Sequence, residues 1–192
     1  MKYLMMAIVL TISFLSCKNG EEKKSEPAAE ETKTTGGTSY SELFTTSFNN
    51  VLNAYYGLKD AFVKSDTVAI NAAGAQLKLL LDSFNLVEVK ERDTVAFSSI
   101  NGRPADASAE LVAMLGEKDL EKKRESFEMI SSVFYDLLRA VRPGGITAYY
   151  QYCPMAFNDK GAYWLSNADS IQNPYFGKKM LTCGEVKETL KY

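Results

Sequence analysis

The sequence predicts a mainly α fold: an up-down four-helix bundle with a small, irregular β-hairpin appendage at its C-terminus. Three observations carry that prediction. Apolar residues recur at threes and fours through most of the chain up to position 141, the signature of helices with one buried face. The connections between these stretches are brief, as antiparallel helical neighbours require. After Pro143-Gly144-Gly145 the texture turns β-branched and aromatic, which favours strands.

The first helix follows Ser39 and Glu42, which stand at capping-box spacing. Phe44, Phe48, Val51, Leu52, Tyr55, Leu58 and Phe62 then share one face. Ser65-Asp66 interrupts the run and offers an N-cap to the second helix, whose apolar stripe is Ile70, Ala73, Leu77, Leu80, Leu81 and Phe84. A less regular span from about 85 to 106 contains Asn101-Gly102 and Pro104. A short helix from about Ala107 to Leu115 is expected to stop at Gly116. Asp119 caps the last long helix, with Leu120, Phe127, Ile130, Phe134, Leu137, Leu138 and Val141 as its buried face. Met114 and Met129 read as core gap-fillers, and Arg124 as a helix-end or rim ion-pair residue.

Beyond Gly145, "ITAYYQYC" and "GAYWLS" read as two strands with "NDKG" as the turn between them. "NPYFG" reads as an aromatic turn and "EVKETLKY" as a final helical turn. The tyrosines and Trp164 crowded here are expected to pin the hairpin to the end of the bundle.

The N-terminus places the chain in a compartment. "MKYLMMAIVLTISFLSC" has one early lysine, an apolar run from Tyr3 to Leu15, and then Ser16-Cys17. The run is too short to span a bilayer comfortably and reads as a secretory leader. Its end resembles the lipobox of bacterial lipoproteins, which implies cleavage after residue 16, lipidation of Cys17 and a lipid-anchored, membrane-attached protein of the bacterial envelope, periplasm-facing or at the outer membrane. Residues 17–39 are rich in Glu, Lys, Thr and Gly and hold no large apolar side chain, so they are expected to form a disordered tether. Residues 40–192 then make a single domain, with 146–192 as its Cys/Met segment. A formal net charge of −2 without a basic stripe speaks against nucleic acid as a partner.

Chain-wide absence of histidine removes the His-based triad and the His general base, and no enzymatic activity is expected. It also removes the usual ligand of Cu(II), Zn(II) or Ni(II). What remains is sulfur. Beyond Cys17 the cysteines are Cys153 and Cys183, and Met155 and Met180 lie two and three residues from them. Thiolate and thioether together select a soft monovalent ion, Cu(I) or Ag(I). Two thiols in an oxidising compartment also suit a Cys153–Cys183 disulfide, which would contribute about 3–4 kcal/mol in the chain-entropy model. Residue spacing leaves both readings open.

The stretches "YYQYCPMAFNDKGAYWLS" and "IQNPYFGKKMLTCGEV", with "YYGLKDAFVKSDTVAINAAGAQL" and "KKRESFEMISSVFYDLLRAV" upstream, resemble a Bacteroidetes domain family of formerly unknown function. That family occurs as lipoproteins and as a C-terminal extension of the periplasmic adaptor subunits of copper/silver efflux pumps. The resemblance implies a helical bundle with a heavy-metal-binding C-terminal segment. Carried over position by position, it makes Cys153, Met155, Met180 and Cys183 the ligands and heavy-metal efflux components the partners. Some members place a histidine shortly before the CPM motif. Here that stretch is Tyr149-Tyr150-Gln151-Tyr152, which leaves an all-sulfur set. The function expected is binding of Cu(I) or Ag(I) for buffering or for transfer to an efflux system. The alternative is a disulfide-stapled protein-interaction module without metal.

Overall fold

The computed structural model describes residues 39–192. The leader, Cys17 and the tether expected up to residue 38 lie outside that range. The chain is mainly helical, with helices α1 (Glu42–Lys64), α2 (Thr67–Ser83), α3 (Val87–Arg92), α4 (Thr94–Ile100), α5 (Arg103–Gly116) and α6 (Leu120–Val141). A three-stranded antiparallel sheet follows, built from β1 (Thr147–Cys153), β2 (Ala162–Ser166) and β3 (Glu185–Lys191) in the order β2-β1-β3.

The four longer helices are the bundle. α1 packs on α2, α2 on α5, and α5 on α6. Aromatic rings close the circuit between α1 and α6: Tyr55 stacks on Phe134 at 4.5 Å and on Phe127 at 5.6 Å, and Phe62 meets Phe127 at 4.7 Å. Large flat side chains fill this seam between helix axes, and each such pair is worth about 0.5–1.5 kcal/mol beyond its buried area. The expected stripe of α1 is buried, and so is that of α6 apart from Leu120, which is half-buried in its first turn.

Local signals set most boundaries. Asp66 and Asp119 accept hydrogen bonds from the first free N–H groups of α2 and α6, as expected. The first cap is Ser41 and not Ser39: its Oγ accepts from Phe44 N at 3.1 Å and donates to Glu88 at 2.7 Å. Glu88 receives the Ser41 backbone N–H as well, so a carboxylate from α3 fixes the start of α1. Residues 85–106 are more regular than expected. Asp93 caps α4, and Pro104 lies in the first turn of α5, where a missing N–H loses no helical bond. That helix therefore begins four residues earlier than the sequence suggests.

Three other expectations are corrected. Met114 is fully buried, but Met129 is 56 % exposed on the outer face of α6. Arg124 is no rim residue: its guanidinium is buried, donating to the Pro174 carbonyl and to Ser65 Oγ as well as pairing with Glu121. The segment "EVKETLK" is the strand β3 and not a helical turn. Val186 is half-buried between exposed Glu185 and Lys187, Leu190 is buried, and β1 satisfies the strand's backbone.

Sheet and bundle form a continuous core. Helix α6 packs against β2, and the Tyr55 hydroxyl joins three elements, meeting Ser131 Oγ at 2.8 Å and accepting the Leu165 N–H at 3.0 Å. Residues 167–184, between β2 and β3, form a strap beside the sheet. Gln151, buried on β1, donates its amide hydrogens to the carbonyls of Ala168, Asp169 and Ser170. Trp164 is fully buried and meets Tyr175 of the strap edge-on at 5.8 Å.

Candidate functional site

Cys153 closes β1, with its side chain buried. Pairing of β1 with both neighbours holds the strand and puts Cys153 on the same face as Gln151, two residues before it. Cys183 comes from the far end of the strap, two residues before β3. The fold brings the two sulfurs to 2.8 Å from each other as free thiols.

Asn173 places Cys183. It is fully buried and bonded at both ends of its amide: its NH2 donates to the Cys183 carbonyl at 2.7 Å, while its Oδ1 accepts the N–H groups of Tyr175 and Phe176. Its own N–H donates to the Leu181 carbonyl. The turn before the cysteine is closed by the Cys183 N–H on the Met180 carbonyl at 3.1 Å. Gly184 then carries the chain into β3 at φ +139°, and a Cβ there would lie 2.8 Å from the Tyr152 carbonyl oxygen and 3.0 Å from the Trp164 ring. That close approach and that backbone angle both require glycine.

Burial, above all, pushes the Cys183 thiol up to about 11, and the hydrogen bond and charge of Cys153 add to it. The backbone N–H of Met155 pulls the other way. The resting Cys183 thiol is therefore protonated and weakly reactive at neutral pH.

Of the four sulfur residues singled out from the sequence, the two cysteines converge. Met155 is 46 % exposed just after β1, and Met180 is half-buried at the end of a single 3-10 turn, Gly177–Lys179. Among the described residues no group of three or more His, Cys, Asp or Glu could hold a metal ion. The donors present are two thiols with two thioethers nearby in the chain, a set whose softness fits Cu(I) or Ag(I) and not a hard divalent ion. Asn173 and Gly184 were not singled out from sequence. Asn-Pro at 173–174 does signal a turn, but nothing in it reveals that the Asn side chain reaches Cys183.

Compared with known protein families, the chain matches a model described as "Protein of unknown function (DUF3347)" over residues 51–144. The similarity runs from the middle of α1 to the end of α6 and stops before β1, so both cysteines lie beyond the matched residues. No curated protein and no solved structure matches the chain. Among the described residues no helix is long and apolar enough to cross a membrane.

Proposed function

We propose that this is a lipid-anchored protein of the bacterial envelope that binds Cu(I) or Ag(I) through Cys153 and Cys183, for buffering or for transfer to a heavy-metal efflux system. The observation that carries the reading is the convergence of two thiols from opposite ends of a 30-residue separation, 2.8 Å apart, in a chain without histidine. Met155 and Met180 serve as third or weaker ligands, the half-buried Met180 from inside the turn that presents Cys183. Binding exchanges thiol protons for the ion and needs no chemistry on a substrate. Cys17 ties the domain to the membrane, where an efflux adaptor would meet it.

A second reading is favoured by the direct contact of the two sulfurs. Oxidation would join Cys153 to Cys183 and staple the strap to β1, leaving an interaction module without metal. Native mass spectrometry of the protein, before and after anaerobic reduction and Cu(I) addition, separates the two. One copper per reduced chain, lost in the Cys153→Ser/Cys183→Ser double variant, supports the ion. A chain isolated with the disulfide formed, and taking up no copper after reduction, sinks it.

A further inference from the structure

Four tyrosines from three elements lie in one stack. Tyr135 of α6 meets Tyr150 of β1 at 3.9 Å between ring centroids, with planes 16° apart. Tyr150 meets Tyr163 of β2 at 4.7 Å and 13°, and Tyr163 meets Tyr152 of β1 at 4.4 Å. Tyr163 is 36 % exposed, so the stack meets solvent there and runs across the sheet to the half-buried Tyr135 on α6. Tyr152 precedes Cys153 in the chain.

The stack ends in a polar triad. The Tyr135 hydroxyl donates to Glu188 Oε2 at 2.6 Å and accepts from Arg139 at 2.7 Å, and Arg139 lies 3.3 Å from both Glu188 oxygens. Among the described residues, none of the other three phenols of the stack gives its hydrogen to a carboxylate. Packing explains the flat rings. It does not explain why the one on α6 has a carboxylate as its proton acceptor and a guanidinium held on the same oxygen.

The geometry points to a one-electron oxidation site: the stack conducts an oxidising equivalent from Tyr163 to Tyr135, and Tyr135 loses its phenolic proton to Glu188 as it loses the electron. An oxidised phenol is a strong acid, so the hole settles where a base already accepts the phenol's hydrogen bond. The step balances. A one-electron oxidant in solution takes one electron from Tyr163 and is reduced by one. The hole passes through Tyr150 to Tyr135, the Tyr135 O–H bond breaks, and its proton forms a bond to Glu188 Oε2. Tyr135 is left as a neutral phenoxyl radical, still accepting a hydrogen bond from Arg139. The inference is independent of any metal at Cys153 and Cys183. It makes the stack a path that carries oxidising equivalents from the exposed Tyr163 on β2 to Tyr135 on α6.

The test uses the full chain, photogenerated tris(bipyridine)ruthenium(III) as the oxidant, and electron paramagnetic resonance with transient absorption as readouts. A phenoxyl radical is expected in the wild type and in Tyr149→Phe, a tyrosine outside the stack. Tyr135→Phe keeps a ring at that position but loses most of the signal. Glu188→Gln slows radical formation by about tenfold, as expected when a charged acceptor becomes a neutral one. A radical yield unchanged in Tyr135→Phe overturns the inference, and so does a formation rate unchanged in Glu188→Gln. The second variant decides alone if the first fails to fold.

Discussion

Cys183 is where residue chemistry governs behaviour. Its thiol is held up to about 11 against an ordinary 9.0, by burial first and by Cys153 second. The folded state therefore prefers the protonated form. The stability linked to Cys183 is complete below pH 9 and is lost as pH rises through about 11. Urea midpoints of the reduced protein between pH 8 and 11 check this: the wild type should fall more steeply than Cys183→Ser over that window. Equal slopes would show that the thiol is not linked to folding. The same proton opposes the ion. Each proton displaced from a thiol raises apparent Cu(I) affinity about tenfold per pH unit, so competition against a Cu(I) chelator from pH 6 to 8 should show affinity rising with pH. A flat profile would mean that no thiol is deprotonated on binding, and would leave the thioethers as the binders.

At the scale of elements, the strap decides whether the two thiols meet. Asn173 and Gly184 act on Cys183 from both sides, one through its carbonyl and one through its backbone angle. Gly184→Ala would force a methyl group toward the Tyr152 carbonyl and Trp164, with strain of about 1–3 kcal/mol. The expected outcome is copper uptake sharply reduced while the helical circular dichroism signal stays that of the wild type; full uptake would show that the strap tolerates the shift. The caps predict a simpler effect: Asp66→Ala should destabilise the chain by about 1 kcal/mol in urea unfolding, because two N–H groups of α2 lose their acceptor. Helices of this kind were legible in the sequence, since period and caps are local signals. So were β1, β2 and the pair of cysteines. β3 was missed because seven residues, charged at four positions, carry little period, and its partner strand supplies what the segment lacks. The burial of Arg124 was missed for a related reason: its acceptor, the Pro174 carbonyl, lies 50 positions away.

For the whole molecule, the question is whether bundle and sheet fold as one unit. The family similarity ends with the bundle at residue 144, which suggests a division there, but the packing crosses it. Leu165 of β2 gives its N–H to Tyr55 of α1, Phe127 of α6 meets Tyr175 of the strap at 6.0 Å, and Arg124 holds the strap through Pro174. These contacts lie in a core where Tyr55, Phe127 and Trp164 are each fully buried, so opening the sheet alone would expose the α1–α6 seam to water. Unfolding should therefore be a single transition. The chain reports on it in two independent ways, because its one tryptophan sits in the sheet while most of its helical signal comes from the bundle. Trp164 fluorescence and far-ultraviolet circular dichroism should trace the same urea curve. Tyr55→Phe removes the hydroxyl that joins α1, α6 and β2 and leaves the Leu165 N–H without its partner, so it should lower both curves together, by about 1–3 kcal/mol. A fluorescence change that precedes the helical loss would show instead that the sheet opens on its own. The thiol pair would then sit on a separately opening unit, and the site's availability would be set by sheet opening rather than by global stability.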